Sequence, residues 1–294
     1  MKYEFHSGAD AMRLCGEHGI SVAGLMLRSE MERSGLSFTQ IWREMQRNLA
    51  VMRESVEKGL DPSSPYRGVI VGGDAAKMAA YAPRSLMGEN LATIVASALA
   101  VTEVNASMGT IVAAPTAGAS GILPAVLVAG GRMAGHSDEA ICKSLFCAGA
   151  IGTVIARNAS IAGASGGCQA ETGSAAAMAA GALVELNGGT PEQVFTAAAI
   201  ALKNVMGLVC DPVGGLVECP CSKRNAIGAV NAILSCDMAL AGITSFIPFD
   251  EVVEAMRSVG QLMSSDLRET ARGGLAATET ARAFVASMPP RPGA

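Results

Sequence analysis

From Phe38 the chain sets apolar residues at helical spacing, Phe38, Ile41, Trp42, Met45, Leu49, Met52 and Val56, with charged and amide residues filling the opposite face. Ser37 with Gln40 forms the S-x-x-Q pattern of a capping box, and Gly59 and Pro62 stop the run. This stripe reads as core or interface packing. After the loop DPSSPYRG, residues 74–81, 89–108, 122–133, 138–157, 170–187, 191–206, 223–241 and 249–263 read as further helices rich in alanine. Strand-length alternation persists nowhere. The predicted fold is mainly α, one compact multi-helix domain. An N-terminal amphipathic segment, residues 1–67, packs on the core or on a partner, and residues 68–294 form the main body continuous with it.

Composition sharpens this picture. Half of the 294 residues are hydrophobic but only 4% are aromatic, so Ala, Val, Leu, Ile and Met must build the core. Charged residues make up 16%, against roughly 25% in an ordinary soluble domain. Surface poor in charge suggests a large core, an oligomer or a covering partner chain. A net charge of −4, scattered basic residues, three tyrosines and one tryptophan exclude a nucleic-acid-binding surface. The longest uncharged run, GTIVAAPTAGASGILPAVLVAGG, has spanning length, but Pro115, Gly118 and Gly121 interrupt it and no basic cluster or aromatic belt flanks it, so no membrane span is expected. The start, MKYEFHSGADAMRLCGEHG, lacks the apolar core of a signal peptide, which points to the cytoplasm. The eight cysteines there are buried hydrophobes, metal ligands or nucleophiles rather than disulfides.

Two features carry candidate chemistry. The pentapeptide AGASG occurs at Ala117–Gly121 and again at Ala162–Gly166, each ahead of an apolar helical stretch. Such loops lead into helix N-termini, whose free N–H groups and dipole suit an anion, and they serve tight helix packing equally well. No phosphate-binding fingerprint is present. The second feature is CDPVGGLVECPC, residues 210–221. Cys168, Cys210 and Cys221 all fall at expected helix ends in loops, where three thiols can converge. Cys168 opens a helix, where the dipole is expected to lower its pKa and favour thiolate. Spacing alone does not choose between Cys219 and Cys221, which flank Pro220. Paired C-x-x-C spacing of the zinc type is absent. Cys15, Cys142, Cys147 and Cys236 lie in helical patterns and read as core.

The segments EVNASMGTIVAAPTAGASGILPAVL, NASIAGASGGCQAETGSA, LKNVMGLVCDPVGGLVECPCSKRNAIGAVNA and LRETARGGLAAT resemble the α chain of iron–sulfur-dependent L-serine dehydratase. The likeness runs from MQRNLAVM and VGGDAAKM to the final GGLAAT. It implies a 4Fe-4S cluster on Cys168, Cys210 and Cys221, with Cys219 left without metal, and makes residues 68–294 the catalytic iron–sulfur region. Three cysteines on a cubane leave one iron free to act as a Lewis acid on serine's β-hydroxyl.

For the substrate carboxylate, Thr116, Gly118, Ser120 and Gly121 of the first loop are the leading choice, with Ser165 and Gly166 of the second. Lys223 and Arg224 beside Cys221 hold the carboxylate, balance cluster charge, or simply begin a solvated helix. No general base stands out, since His6, His18 and His136 lie outside the resembling motifs and read as surface residues. The resemblance implies a separate β chain as partner, absent from this sequence, which can supply the base. The chain ends SMPPRPGA, without the terminal cysteine of some fused relatives that can cap the fourth iron. The rival readings are the same chemistry on threonine or cysteine, and a zinc-binding structural or interaction protein.

Overall fold

The computed structural model describes residues 2–288. Local signals set most of the helix boundaries. Ser7 caps α1 (Gly8–His18), which Gly19 ends with a positive φ, and Ser21 caps α2 (Val22–Ser34). The Ser37/Gln40 capping box starts α3 (Phe38–Leu60) as its spacing predicts, and Ile41, Leu49, Met52 and Val56 are buried along it. Phe38, at the end of that stripe, is about half exposed at 49%.

α4 (Asp74–Tyr81) and α5 (Glu89–Ala106) follow. Residues 122–133 do not continue as an α-helix. Pro124 opens a π-helix, Pro124–Gly130, which runs into the short α6 (Gly131–Met133). Proline brings no N–H to the first turn, and the wider turn leaves no 3.6-residue signature to read. Residues 109–131 are therefore broken rather than one span. α7 (Asp138–Asn158) is long and apolar enough to cross a membrane, but it packs between α2 and α9 (Ser174–Leu186) inside the fold.

The chain between α7 and α9 differs from expectation. The second AGASG forms a helical turn, α8 (Gly163–Gly166), and a π-helix, Gln169–Gly173, precedes α9. α10 (Pro191–Lys203), α11 (Cys221–Leu240) and α12 (Phe249–Leu262) complete the core, and α13 (Glu279–Ser287) has no counterpart in the hydrophobic pattern. Residues 289–294, the end of the SMPPRPGA stretch, lie outside the described residues. No strand is present among the described residues; Cys210 and Arg268 form an isolated parallel bridge.

α9 is the centre, packed against α7, α10 and α11, and nearly every residue on it is buried. Its alanines and Gly181 let neighbours approach closely. A Cβ on Gly181 would stand 2.4 Å from Ile151 Cδ1 and 2.9 Å from the Val194 carbonyl. The main hydrophobic core runs from Phe5 to Met256, with a smaller cluster of Ala75, Val95, Leu99 and Ala100 beside it, so the scarcity of aromatics is met by close backbone packing. Asp250 at the start of α12 accepts from the Gly8 and Ala9 N–H groups at 2.6 and 3.0 Å, locking α1 to the far end of the chain.

Candidate functional site

Three chain segments bring their cysteines to one buried place. Cys168 stands at the N-terminal edge of the π-helix, 3% exposed. Gln169 anchors that edge, its side chain donating to Met256 O at 3.1 Å and accepting from Gly207 N at 2.9 Å. Cys210 is 3% exposed and gripped on both sides by the 264–278 segment: its N–H donates to Leu267 O at 2.8 Å, and its carbonyl accepts from Glu269 N at 2.7 Å. Cys221 is the first residue of α11, 7% exposed. Cys219 is half-buried, its carbonyl taking the Val213 N–H at 2.9 Å.

Burial decides the state of these thiols. It pushes Cys168 up against the pull of its Thr172 contact and of the Arg224 charge, so the expectation that the helix dipole lowers this pKa is corrected. Desolvation in a packed interior outweighs a terminal dipole. Burial also pushes Cys221 up to about 12, with the neighbouring charges of Cys168 and Glu171 adding to it, and raises Cys210 for the same reasons. The three thiols thus feel one another. Among the described residues no three His, Cys, Asp or Glu side chains close on one point tightly enough for a single metal ion.

A carboxylate lies among the thiols. Glu171, on the π-helix, is 7% exposed; Oε1 accepts from the Thr116 hydroxyl at 2.7 Å, and Oε2 lies 3.7 Å from Cys210 Sγ. Burial is the main reason its pKa is raised, with the Glu269 charge adding to it while the Thr116 bond opposes. The π turn also aims Thr172 Oγ1 at Cys168 Sγ, 3.1 Å away. Gly163 faces this group directly: a Cβ there would meet Glu171 Oε2 at 2.7 Å, Cys210 Sγ at 2.9 Å and Glu269 Oε2 at 3.1 Å.

The two AGASG segments play unequal parts. In the first, Thr116 and Gly118 border Glu171, and a Cβ on Gly118 would stand 3.0 Å from Oε1. Ser120 turns inward to donate to Ala117 O at 2.8 Å. Gly121 donates its N–H to Asn225 Oδ1 at 2.9 Å. Asn225 also donates to Gly118 O at 2.7 Å and Cys221 O at 2.9 Å, clipping the first segment to the start of α11.

In the second segment Gly163 looks toward the thiols. Ser165 and Gly166 face a cavity of about 190 Å³ lined also by Ala159, Ser160, Met256 and Arg257, and Gly166 packs on Gly260 of α12. Lys223 points away as well, pairing with Asp74 at 2.5 Å with 59% of its side chain exposed. Arg224 turns inward, 13% exposed, to Asp211 at 2.8 Å and Val209 O at 2.7 Å.

Residue patterns passed over Glu171, Thr172, Asn225, Asp211, Gly163 and Glu269. Glu171 had a visible signal, as a lone acid opening an alanine-rich apolar run. The histidines hold no place here: His6 is exposed, and His136 bonds Asn187 at 3.3 Å.

A family model described as the serine dehydratase alpha chain matches residues 17–276. The chain belongs to the serine dehydratase alpha chain family. It is 51% identical to the probable L-serine dehydratase alpha chain of Bacillus subtilis (strain 168), over 95% of this chain and 93% of that protein. It is 46% identical to the L-serine dehydratase alpha chain of Peptoniphilus asaccharolyticus, over 94% of this chain and 95% of that one. L-serine dehydratase 1 of Escherichia coli (strain K12) is 38% identical over 93% of this chain, which covers 62% of that longer protein. The serine dehydratase match spans every segment that builds the site, from Thr116 to Gly274.

Proposed function

We propose that this chain is the α subunit of an L-serine ammonia-lyase, working with a separate β chain in the cytoplasm and carrying a 4Fe-4S cluster on Cys168, Cys210 and Cys221. The observation that carries this reading is the meeting of three buried thiols from three segments beside the buried carboxylate of Glu171. The donor set fits the group. A single zinc gathers its thiolates around one point, whereas a cubane takes its cysteines on different irons and so accepts a wider spread. Gly163 brings no side chain of its own against Glu171 and Cys210, where a Cβ would stand 2.7 and 2.9 Å away. The names of the α-chain relatives support serine as substrate and a partner chain. Exposed Leu86, Met108, Phe246 and Leu262 are apolar surface that a partner would cover.

When bound, the cluster supplies a Lewis-acidic iron for the departing serine hydroxyl. The chain's own residues do the rest. Glu171 Oε2 accepts the proton from serine Cα, while Thr116 fixes Oε1 and with it the direction of the carboxylate. Gly118 and Gly163 keep side chains off both oxygens, where a Cβ would stand 3.0 and 2.7 Å away. The buried setting excludes water during elimination, and the enamine released then tautomerises and hydrolyses to pyruvate and ammonia.

Anaerobic reconstitution with iron and sulfide, with and without the β chain, tests this by following pyruvate from L-serine. Four irons and four sulfides per chain with pyruvate release are expected for this cluster type. One bound zinc with no sulfide would establish the structural zinc protein instead. Steady-state turnover of threonine and cysteine beside serine separates the substrates.

A further inference from the structure

The thiol site is crowded with negative groups, and a cation turns inward beside them. Around it stand the thiols, Glu171 and Asp211, all buried, with Glu269 at the rim. The cation is Arg224, and its guanidinium is engaged on several sides. Nη2 meets Asp211 Oδ1 at 2.8 Å, Nη1 donates at 2.7 Å to Val209 O, the peptide carbonyl that leads into Cys210, and its charge acts on the Cys168 thiol.

Asp211 is itself fixed. It is 3% exposed, and its second oxygen accepts the Leu275 N–H at 2.7 Å. Gly274, with φ +59, presses so close that a Cβ would stand 2.3 Å from Asp211 Oδ2. A continuous line of contacts therefore runs from the 264–278 segment through Asp211 and Arg224 to the peptide that carries Cys210. A guanidinium held in this way is not free to turn onto a substrate carboxylate. Its neighbour Lys223 is spent on Asp74 at the surface.

We propose that Arg224 is the counter-ion of the cluster-bearing thiolates, not a substrate ligand, and that Asp211 positions it. The assignment rests on the cluster reading above. Three thiolates and a carboxylate in a poorly solvated interior repel one another, and a positive charge beside Cys168 offsets that repulsion. A donor to a ligand sulfur also raises a cluster's reduction potential and holds the metal more firmly.

The test uses the anaerobically reconstituted chain with its β partner, as wild type, Arg224→Gln, Arg224→Lys and Asp211→Asn. Three quantities are read: the cluster's midpoint potential, the rate of iron transfer to a chelator, and KM for L-serine. Arg224→Gln is expected to move the potential to more negative values and to speed iron release by about tenfold or more. KM should stay close to wild type. Arg224→Lys should restore the potential but not the release rate, because it keeps the charge and loses the fork. Asp211→Asn should follow Arg224→Gln in direction with a smaller change.

A raised KM with unchanged potential and release would make Arg224 a substrate ligand and overturn the proposal. If Arg224→Gln does not fold, Arg224→Lys decides, and a wild-type release rate in it counts as refutation. A wild-type chain that takes up no iron and sulfide overturns the cluster reading itself, which is a separate result.

Discussion

Thr116 holds Glu171 with a 2.7 Å hydrogen bond, so the first AGASG segment fixes a buried carboxylate that belongs to the second. Replacing Glu171 by Gln is expected to lower turnover by about 10²–10⁴-fold, the range for losing a general base. Stability should move the other way. Because burial raises the folded pKa, this group's contribution to stability is full below the ordinary carboxylate range and is lost as pH rises through the raised value. Gln carries no charge to desolvate and still accepts the Thr116 hydroxyl. The metal-free Glu171→Gln chain should therefore melt at or above wild type at neutral pH, and a clear drop in Tm would contradict this account.

Thr116→Val removes the bond that favours the ionised carboxylate. The Glu171 pKa then rises further, so the acid limb of the kcat/KM profile shifts to higher pH. A profile superimposable on wild type would show that Thr116 does not touch the titrating group.

Gly163→Ala tests the cradle. The backbone there is helical, so alanine itself favours the turn by about 0.5–1 kcal/mol. Against this, its Cβ meets Glu171, Cys210 and Glu269 at 2.7–3.1 Å, and overpacking of this kind costs about 1–3 kcal/mol. A net loss near 1–2 kcal/mol in the metal-free chain is expected, with a larger relative fall in iron and sulfide bound per chain. Full iron content in a Gly163→Ala chain would place the cluster elsewhere.

Asn225, itself fully buried, makes three bonds, to Gly121 N, Gly118 O and Cys221 O. Alanine there strands the Gly121 N–H and the Gly118 carbonyl at about 1–3 kcal/mol each, so denaturant unfolding should show a loss of about 2–6 kcal/mol. Asn225→Asp keeps the acceptor for Gly121 but sets a buried carboxylate oxygen against the Gly118 and Cys221 carbonyls, and should lose at least as much as alanine at neutral pH. Equal stability of the alanine variant and wild type would remove Asn225 from the clip.

The helices were legible because most of them announce themselves locally. Ser37 and Gln40 gave the start of α3, and the 74–81 pattern coincides with α4. The two π-helices were not legible, since periodicity reasoning assumes 3.6 residues per turn, and the second of them places Glu171 and Thr172 beside the thiols. Pairing across the chain was equally hidden. Nothing near Asn225 tells that its partners are Gly118 and Gly121, and nothing near Gly163 tells that it faces Cys210. The two AGASG copies look alike as strings, yet Ser165 and Gly166 turn toward α12 while Thr116 and Gly118 turn toward Glu171. Orientation within a turn is a tertiary property, and identical pentapeptides do not carry it.

The choice between Cys219 and Cys221, open on spacing alone, now has a structural basis to test. Cys221 opens α11 and interacts with Cys168 and Glu171, and its backbone carbonyl is tied through Asn225 to the first AGASG segment. Cys219 is half-buried, and its residue instead serves the loop through the bond from Val213. Cys219→Ala should therefore keep its cluster absorption and iron content after anaerobic reconstitution, while Cys168→Ala, Cys210→Ala and Cys221→Ala should each lose most of both. The metal-free chains should differ little in Tm, because alanine removes only one sulfur from each position. Loss of the cluster in Cys219→Ala with retention in Cys221→Ala would reverse the assignment. It would then require the 210–221 loop to refold around bound metal, with Cys219 turning inward and the start of α11 released from Asn225.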